Sequence, residues 1–406
     1  MNQQKADLLD RFESPKVLYG PSRTTASKSA LATVKHDPRM RQLRDDLRTV
    51  GFFEPAQLRY AIRLVVIIAG IAAGWLVLLL ADGWAWRLGA AAAIGFTVVQ
   101  SAFFAHEAAH CAIRLNATKV ELLGQLTDTF IIGYSFAYFR RSHDLHHFHT
   151  NEVDKDPDGL SALFSVHAWS ARQKTGWLGV MMSRWQGLLL PIFYALWAFT
   201  MKWDGITYVL RNWRRASLDL AMLVLHVAFW LVLPAYFLGI GVTLLNYVLW
   251  NVVAGWYLAS IIPVNHVGME PIERGDDVDF VTQQVRSSRN IVEPSWLPGG
   301  AWLYDMFFIG LNRQIEHHLF PYVATPRLRR GQAVVKAFCQ RHGLPYGEWR
   351  YLSAMTEAHK HLWRVGRLAS FNPVIEQRHQ LEERARFDRE GLEEPHDSRK
   401  HLVGLT

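Results

Sequence analysis

The sequence predicts an all-α integral membrane protein: two transmembrane helical hairpins with a cytoplasmic helical cap holding a His-rich site for two metal ions. Three observations carry this prediction. Four apolar stretches in the 406-residue chain come close to the roughly 20 residues that a bilayer core requires. They fall into two pairs, each joined by only a few residues. Nine of the 18 histidines gather in four tight groups at or beyond the ends of these stretches.

The spans are expected at 60–81, 88–105, 218–238 and 242–263. The first holds one charge, Arg63, near its end, where a long side chain can snorkel to the interface. The connectors 82–86 and 239–241 contain no Lys or Arg, whereas residues 1–59 hold 11. Lys/Arg-rich segments stay on the cytoplasmic side, so both termini and the central loop are expected there, with Trp84 and Trp86 anchoring the far interface. The chain then divides into a cytoplasmic N-terminal region (1–59), a membrane domain (60–325) and a C-terminal helical region with a charged tail (326–406). The tail from Phe371 reads as a solvated surface helix. Two shorter apolar stretches, 129–139 and 188–199, read as interfacial or half-buried helices. Residues 1–50 lack a charged-then-apolar leader.

Composition narrows the function. Half of the residues are hydrophobic and 13% are aromatic, which excludes a disordered chain. Two cysteines, Cys111 and Cys339, cannot build a disulfide framework, a four-cysteine zinc site or the usual iron–sulfur cluster. The net charge of +8 would permit nucleic-acid binding, but the apolar content makes a lipid bilayer the expected anionic partner, with no nucleic acid.

On a helix, positions i, i+3 and i+4 share a face. HEAAH therefore brings His106 and His110 together, and HDLHH brings His143, His146 and His147 together. QIEHH gathers Gln314, His317 and His318. His266 follows Asn265 in PVNHVG, three residues beyond the last span. Imidazole suits iron, zinc, copper and nickel, and these eight rings are too many for one ion. They suit two, at about four each, with positions left for oxygen or solvent. HEAAH alone also fits a zinc hydrolase with Glu107 as base. That reading leaves the other six histidines unexplained, so Glu107 is expected to support the site. A membrane metal transporter would carry its ligands at mid-membrane, whereas these groups lie at the cytoplasmic ends.

HEAAH, HDLHH followed by Thr150, Asn151, Asp156, Pro157 and Asp158, and NRQIEHHLFP resemble the three histidine boxes of membrane fatty acid desaturases in order and spacing. The resemblance covers roughly residues 60–325. It implies a non-haem di-iron enzyme that uses O2 and two electrons to remove two hydrogens from an unactivated acyl chain. By this resemblance His106, His110, His143, His146, His147, His317 and His318 are iron ligands, and His266 resembles an additional ligand after the fourth span. Asn265 and Gln314 are expected beside the metals. Gln314 stands where many members have His, a variant familiar in the front-end branch, and it binds iron, binds through water or only shapes the site. Many front-end enzymes carry a fused cytochrome b5 domain with an HPGG motif. Here residues 297–300 read LPGG, taken as a turn, so electrons are expected from a ferredoxin with its reductase or from a free cytochrome b5. These absences lean towards a bacterial inner membrane. The acyl group would ride on coenzyme A, a carrier protein or a lipid. A related di-iron hydroxylase or acetylenase shares the same site.

The remaining polar residues have plainer readings. His149 points away from the shared face and supports a ligand or meets solvent. His226, inside the third span, reads as a neutral imidazole bonded to a neighbouring helix. Asp156 and Asp158 orient histidines or cap a helix. His36, His167, His342, His359, His361, His379, His396 and His401 read as surface residues.

Overall fold

The computed structural model describes residues 37–375 and 377, apart from 160–163, 295 and 297–299. The charged tail and most of the N-terminal region lie outside the described residues. So does the LPGG turn, except Gly300, which opens a helix.

The helices in chain order begin with α1 (Pro38–Thr49), α2 (Gln57–Leu80), α3 (Trp84–Ala109), α4 (Ala117–Gly124) and α5 (Phe136–Phe148). Next come α6 (Ala168–Arg172), α7 (Trp177–Arg184), α8 (Gln186–Arg211), α9 (Ser217–Leu238) and α10 (Ile240–Ile261). The last are α11 (Phe280–Arg286), α12 (Gly300–Phe307), α13 (Gln314–Leu319), α14 (Leu328–Arg341) and α15 (Tyr351–Gly366). Strands β1 (Asn290–Val292) and β2 (Glu348–Arg350) form one short parallel pair.

Four helices, α2, α3, α9 and the run from Ile240 to Asn265, are long and apolar enough to cross a membrane. They pair as two hairpins. Leu58, Ile62, Val65, Val66 and Ile68 of α2, and Val224, Val232, Leu233 and Phe237 of α9, are exposed. Apolar surface of that extent needs lipid rather than water around it. Helices α3 and α10 form the inner pair, 61% and 56% buried against 22% and 17% for α2 and α9. The histidine-bearing ends therefore belong to the two spans most firmly held by protein.

The elements differ from expectation most clearly in three places. Helix α3 begins at Trp84, so the first connector shrinks to three residues around Gly83, and Trp84 and Trp86 stand exposed on the helix itself. A first helical turn can extend into water because its unpaired N–H groups are solvated there. Residues 188–199 are not a short interfacial helix but part of the 26-residue α8, packed along α10. Pro191 falls in its second turn, where the one bond it forgoes is to the Gly187 carbonyl near the helix start. Residues 129–139 are not one helix either. A π-helical stretch, Gln125–Ile132, continues α4, the chain reverses at Gly133 (φ 84°), and α5 returns. This re-entrant turn is buried against α9, whose His226 Nδ1 lies 2.8 Å from the Phe130 carbonyl.

Beyond the spans, Met40, Leu43 and Leu47 of α1 pack on Val335, Phe338 and Cys339 of α14, and on Ile315 and Leu319 of α13. The amphipathic cap thus braces α13 from the side away from the membrane.

Gly255 of α10 marks a close helix approach. A Cβ there would fall on the Tyr194 carbonyl and press the Ala198 amide of α8, both backbone atoms that cannot swing aside. Gly255→Ala is expected to cost about 2 kcal/mol of stability, read as a lower unfolding temperature in detergent. Gly241→Ala, in open space, should leave that temperature unchanged.

Candidate metal centre

Each histidine segment is locked in place by buried polar groups. The first closes α3: His106 lies in its last turn and His110 is the C-cap, after which Cys111 at φ 55° turns the chain. Glu107, between them, accepts from the Tyr60 hydroxyl of α2 and from the Thr325 hydroxyl and amide, tying α3 to the loop after α13. Its carboxylate is taken up by these partners, which is the supporting role expected of it. The second segment rides on α5. The Ser135 N-cap receives the Tyr138 amide, and Asp219 of α9 receives the Ser135 hydroxyl at 2.6 Å and the Ala137 amide at 3.0 Å. A carboxylate facing a helix N-terminus is favourable on both dipole and hydrogen-bond grounds.

The third segment rides on α13. Burial pushes the Glu316 carboxyl above the usual range while Tyr346 and Asn290 donate to it, and Asn290 also receives the Ile315 amide. The His266 loop is held by buried Arg289, whose amide donates to the Asn265 carbonyl and whose Nε donates to the Val264 carbonyl at 2.7 Å.

These segments bring all eight predicted imidazoles together, though not as two sets of four. His106, His110, His143, His147 and His317 offer ring nitrogens within 4.8 Å of one another, and His146, His266 and His318 form a second such set. The division follows from helix geometry. Successive residues are turned by about 100°, so His146 and His147 diverge to different sets, as do His317 and His318. In the first set His106 Nε2 lies 3.1 Å from His317 Nε2, and His147 Nε2 lies 3.2 Å from the Nε2 atoms of His143 and His317. Imidazoles sharing one divalent ion at about 2.1 Å approach to about this spacing.

Gln314 completes the second set, its Nε2 3.0 Å from both His266 Nε2 and His318 Nε2, with its buried Oε1 unpartnered. Each ring of that set has an acceptor at Nδ1. His146 faces Asp156 at 2.9 Å, His266 the Ser287 carbonyl at 2.8 Å and His318 Gln284 Oε1 at 2.8 Å. Such partners fix the tautomer and aim Nε2 inward. Gln284 and Ser287 carried no signal in the sequence. Asp156 plays both roles expected of it, since it also accepts the Asn151 and Asp158 amides. Asn265 lines the adjoining cavity, its Nδ2 donating to the Ile261 carbonyl and its buried Oδ1 without a partner.

Burial sets the electrostatics. It holds His110, His143, His147, His317 and His318 well below the ordinary imidazole range, and brings His266 down to about 3. These rings are therefore neutral, with lone pairs free to bind a cation. Burial opposes charge on His146 as well, but the Asp156 and Asp158 carboxylates outweigh it and raise that ring to about 9. Three plainer readings also meet the structure. His149 lies outside both sets and pairs with Glu152 at 2.7 Å. His226 is bonded to the Phe130 carbonyl and to Tyr247 on α10. His167, expected on the surface, is buried instead at the start of α6, packed against Gly159. Phe164 and Val166, just before it, line the cavity.

That cavity, about 490 Å³, is bounded by His106, His143, His146, His266 and Gln314 on one side. Val98, Val99, Ala102, Leu258 and Ile262 of the membrane helices, with Ile132 of the π-helical stretch, supply an apolar wall.

Residues 82–350 match the family model described as fatty acid desaturase. Similar proteins include the delta 8-(E)-sphingolipid desaturase of Emericella nidulans, 26% identical over 68% of this chain and 53% of that protein. The acyl-lipid (9-3)-desaturase of Physcomitrium patens is 26% identical over 78% of this chain and 61% of its own length. Fatty acid desaturase 3 of Bos taurus is 28% identical over 80% of this chain and 72% of its own length. The chain spans about half the length of the sphingolipid desaturases it matches.

Asp156→Ala would leave His146 Nδ1 and the Asn151 amide buried without an acceptor. A loss of about 3 kcal/mol is expected, measured by thermal unfolding in detergent. Asp158→Ala, whose side chain is half exposed, should cost about 1 kcal/mol or less.

Proposed function

The chain belongs to the fatty acid desaturase family, and on that footing we propose that it is a membrane-bound fatty acyl desaturase, removing two hydrogens from an acyl chain with O2 as co-substrate. The observation that carries this reading is the pair of adjoining imidazole sets opening onto one apolar cavity between membrane helices.

The donor set suits iron: eight imidazoles, six of them held neutral by burial, plus an orphaned amide oxygen. His106, His110, His143, His147 and His317 would hold one ion. His146, His266 and His318 would hold the other, with Gln314 turned so that its oxygen faces inward; amide oxygen and nitrogen exchange places by such a turn. Bound iron supplies the O2-dependent oxidation of an alkyl C–H bond, which no side chain can perform.

The protein's own residues do the rest. Asp156, Gln284 and the Ser287 carbonyl hold the Nδ1 protons of the second set. The apolar wall excludes water and positions one pair of carbons beside the histidines. Two electrons would enter from a donor protein on the histidine side. We place that side in the cytoplasm from the Lys/Arg distribution. The bacterial membrane that the sequence suggested has no counterpart among the eukaryotic relatives named above.

The test is a lipid profile by mass spectrometry, with the chain expressed beside a ferredoxin and its reductase and fed defined fatty acids. A product lighter by two hydrogens is expected, and one heavier by an oxygen would reassign the chain to a hydroxylase. His146→Ala should abolish turnover while membrane insertion, read by fractionation, stays intact. Full activity in that variant would contradict the ligand assignment.

A further inference from the structure

One end of the cavity is polar where a channel for a plain alkyl chain would be apolar. Asn251 lies ten residues before the end of α10 at Ile261, about 15 Å along the helix from the His266 end. Beside it on α10, Tyr247 and Trp250 meet Lys202 of α8. The buried Lys202 Nζ donates to the Tyr247 hydroxyl at 3.0 Å and lies 4.1 Å from the centre of the Trp250 ring. Among the described residues no carboxylate pairs with it. Burial pushes this amine well below the ordinary lysine range; it carries two protons when neutral and three when charged, and Tyr247 takes one. From behind, the Tyr247 hydroxyl is held by His226 Nε2 at 2.9 Å, so this support is fixed.

Asn251 supplies the complementary want. Its Nδ2 donates to the Tyr247 carbonyl at 2.7 Å, which sets the amide orientation and leaves the fully buried Oδ1 without a donor. Lys202 and Asn251 both line the cavity. This end therefore presents a spare donor and a spare acceptor. A methyl terminus would leave both unmet, and buried polar groups left unmet oppose binding. A carboxylate would serve Lys202 but oppose Asn251 Oδ1. A hydroxyl does both, accepting from Nζ and donating to Oδ1.

We propose that Lys202 and Asn251 form a recognition subsite for a hydroxyl group on the distal part of the chain, so that the preferred substrate is a hydroxylated acyl chain. The proposal rests on reading the cavity as the acyl site.

The full chain, purified with its metal in detergent, is titrated with a saturated long-chain fatty acid and with its ω-hydroxy counterpart. The same pair is then offered for turnover. The ω-hydroxy acid should bind at least about tenfold more tightly, in line with the discrimination of sites built around a substrate hydroxyl. In Lys202→Met and Asn251→Leu the ratio should fall towards one. Equal affinities in the unaltered protein overturn the subsite whether or not either variant folds, and so does an unchanged ratio in a folded Lys202→Met. Turnover of both chains with equal affinity removes the subsite and leaves the desaturase reading. Tighter binding of the hydroxylated chain with neither turned over keeps the subsite and removes the reaction.

Discussion

Eight imidazoles must be brought close together although they come from four segments spread over more than two hundred residues. Burial holds them there and keeps His110, His143, His147, His266, His317 and His318 neutral. It removes the solvent that would stabilise imidazolium, leaving lone pairs available, and it demands that every other polar group nearby find a partner. The fold meets that demand with a buried carboxylate at each box. Glu107 joins the first to α2 and Thr325, Asp219 joins the second to α9, and Glu316 joins the third to Asn290 and Tyr346. Removing such a group would cost more than its own hydrogen bonds, because donors from two separate segments would be stranded together.

The two imidazole sets are built differently. In the three-histidine set every ring is aimed by an outer acceptor. In the five-histidine set the Nδ1 atoms of His106, His147 and His317 have no hydrogen-bond partner, and the rings hold one another by packing. Two metals bound here would therefore sit in inequivalent surroundings. One would have ligands made more basic by Asp156 and its neighbours, and the other would be enclosed by imidazole alone. Only His106 and His143 of the five-member set reach the cavity wall, beside His146, His266 and Gln314 of the other.

Much of this was legible in the sequence, because period and spacing are local. The four spans followed from apolar run length, and the histidine groups from i, i+3 and i+4 spacing. The five-to-three division was not legible. It depends on how α5 and α13 are rotated in place, which Asp156, Glu316 and Asn290 decide from a distance. Gln284 and Ser287 belong to no motif and act only because α11 and the turn after it lie beside the cluster. Helix α8 was cut short in the reading because Pro191, Lys202 and Asp204 interrupt its apolar run, though tertiary packing on α10 overrides that. Gly133 and the positive φ it permits turned an expected helix into a re-entrant turn. His167 was misplaced because nothing in its neighbours signals that its ring is buried.

The central claim is that the two imidazole sets hold one ion each. The most direct measurement is the iron content per chain of the full-length protein, purified from an iron-replete host and quantified by elemental mass spectrometry against its own sulfur. The account predicts two iron atoms per chain. A single iron, or none in folded protein, would contradict it.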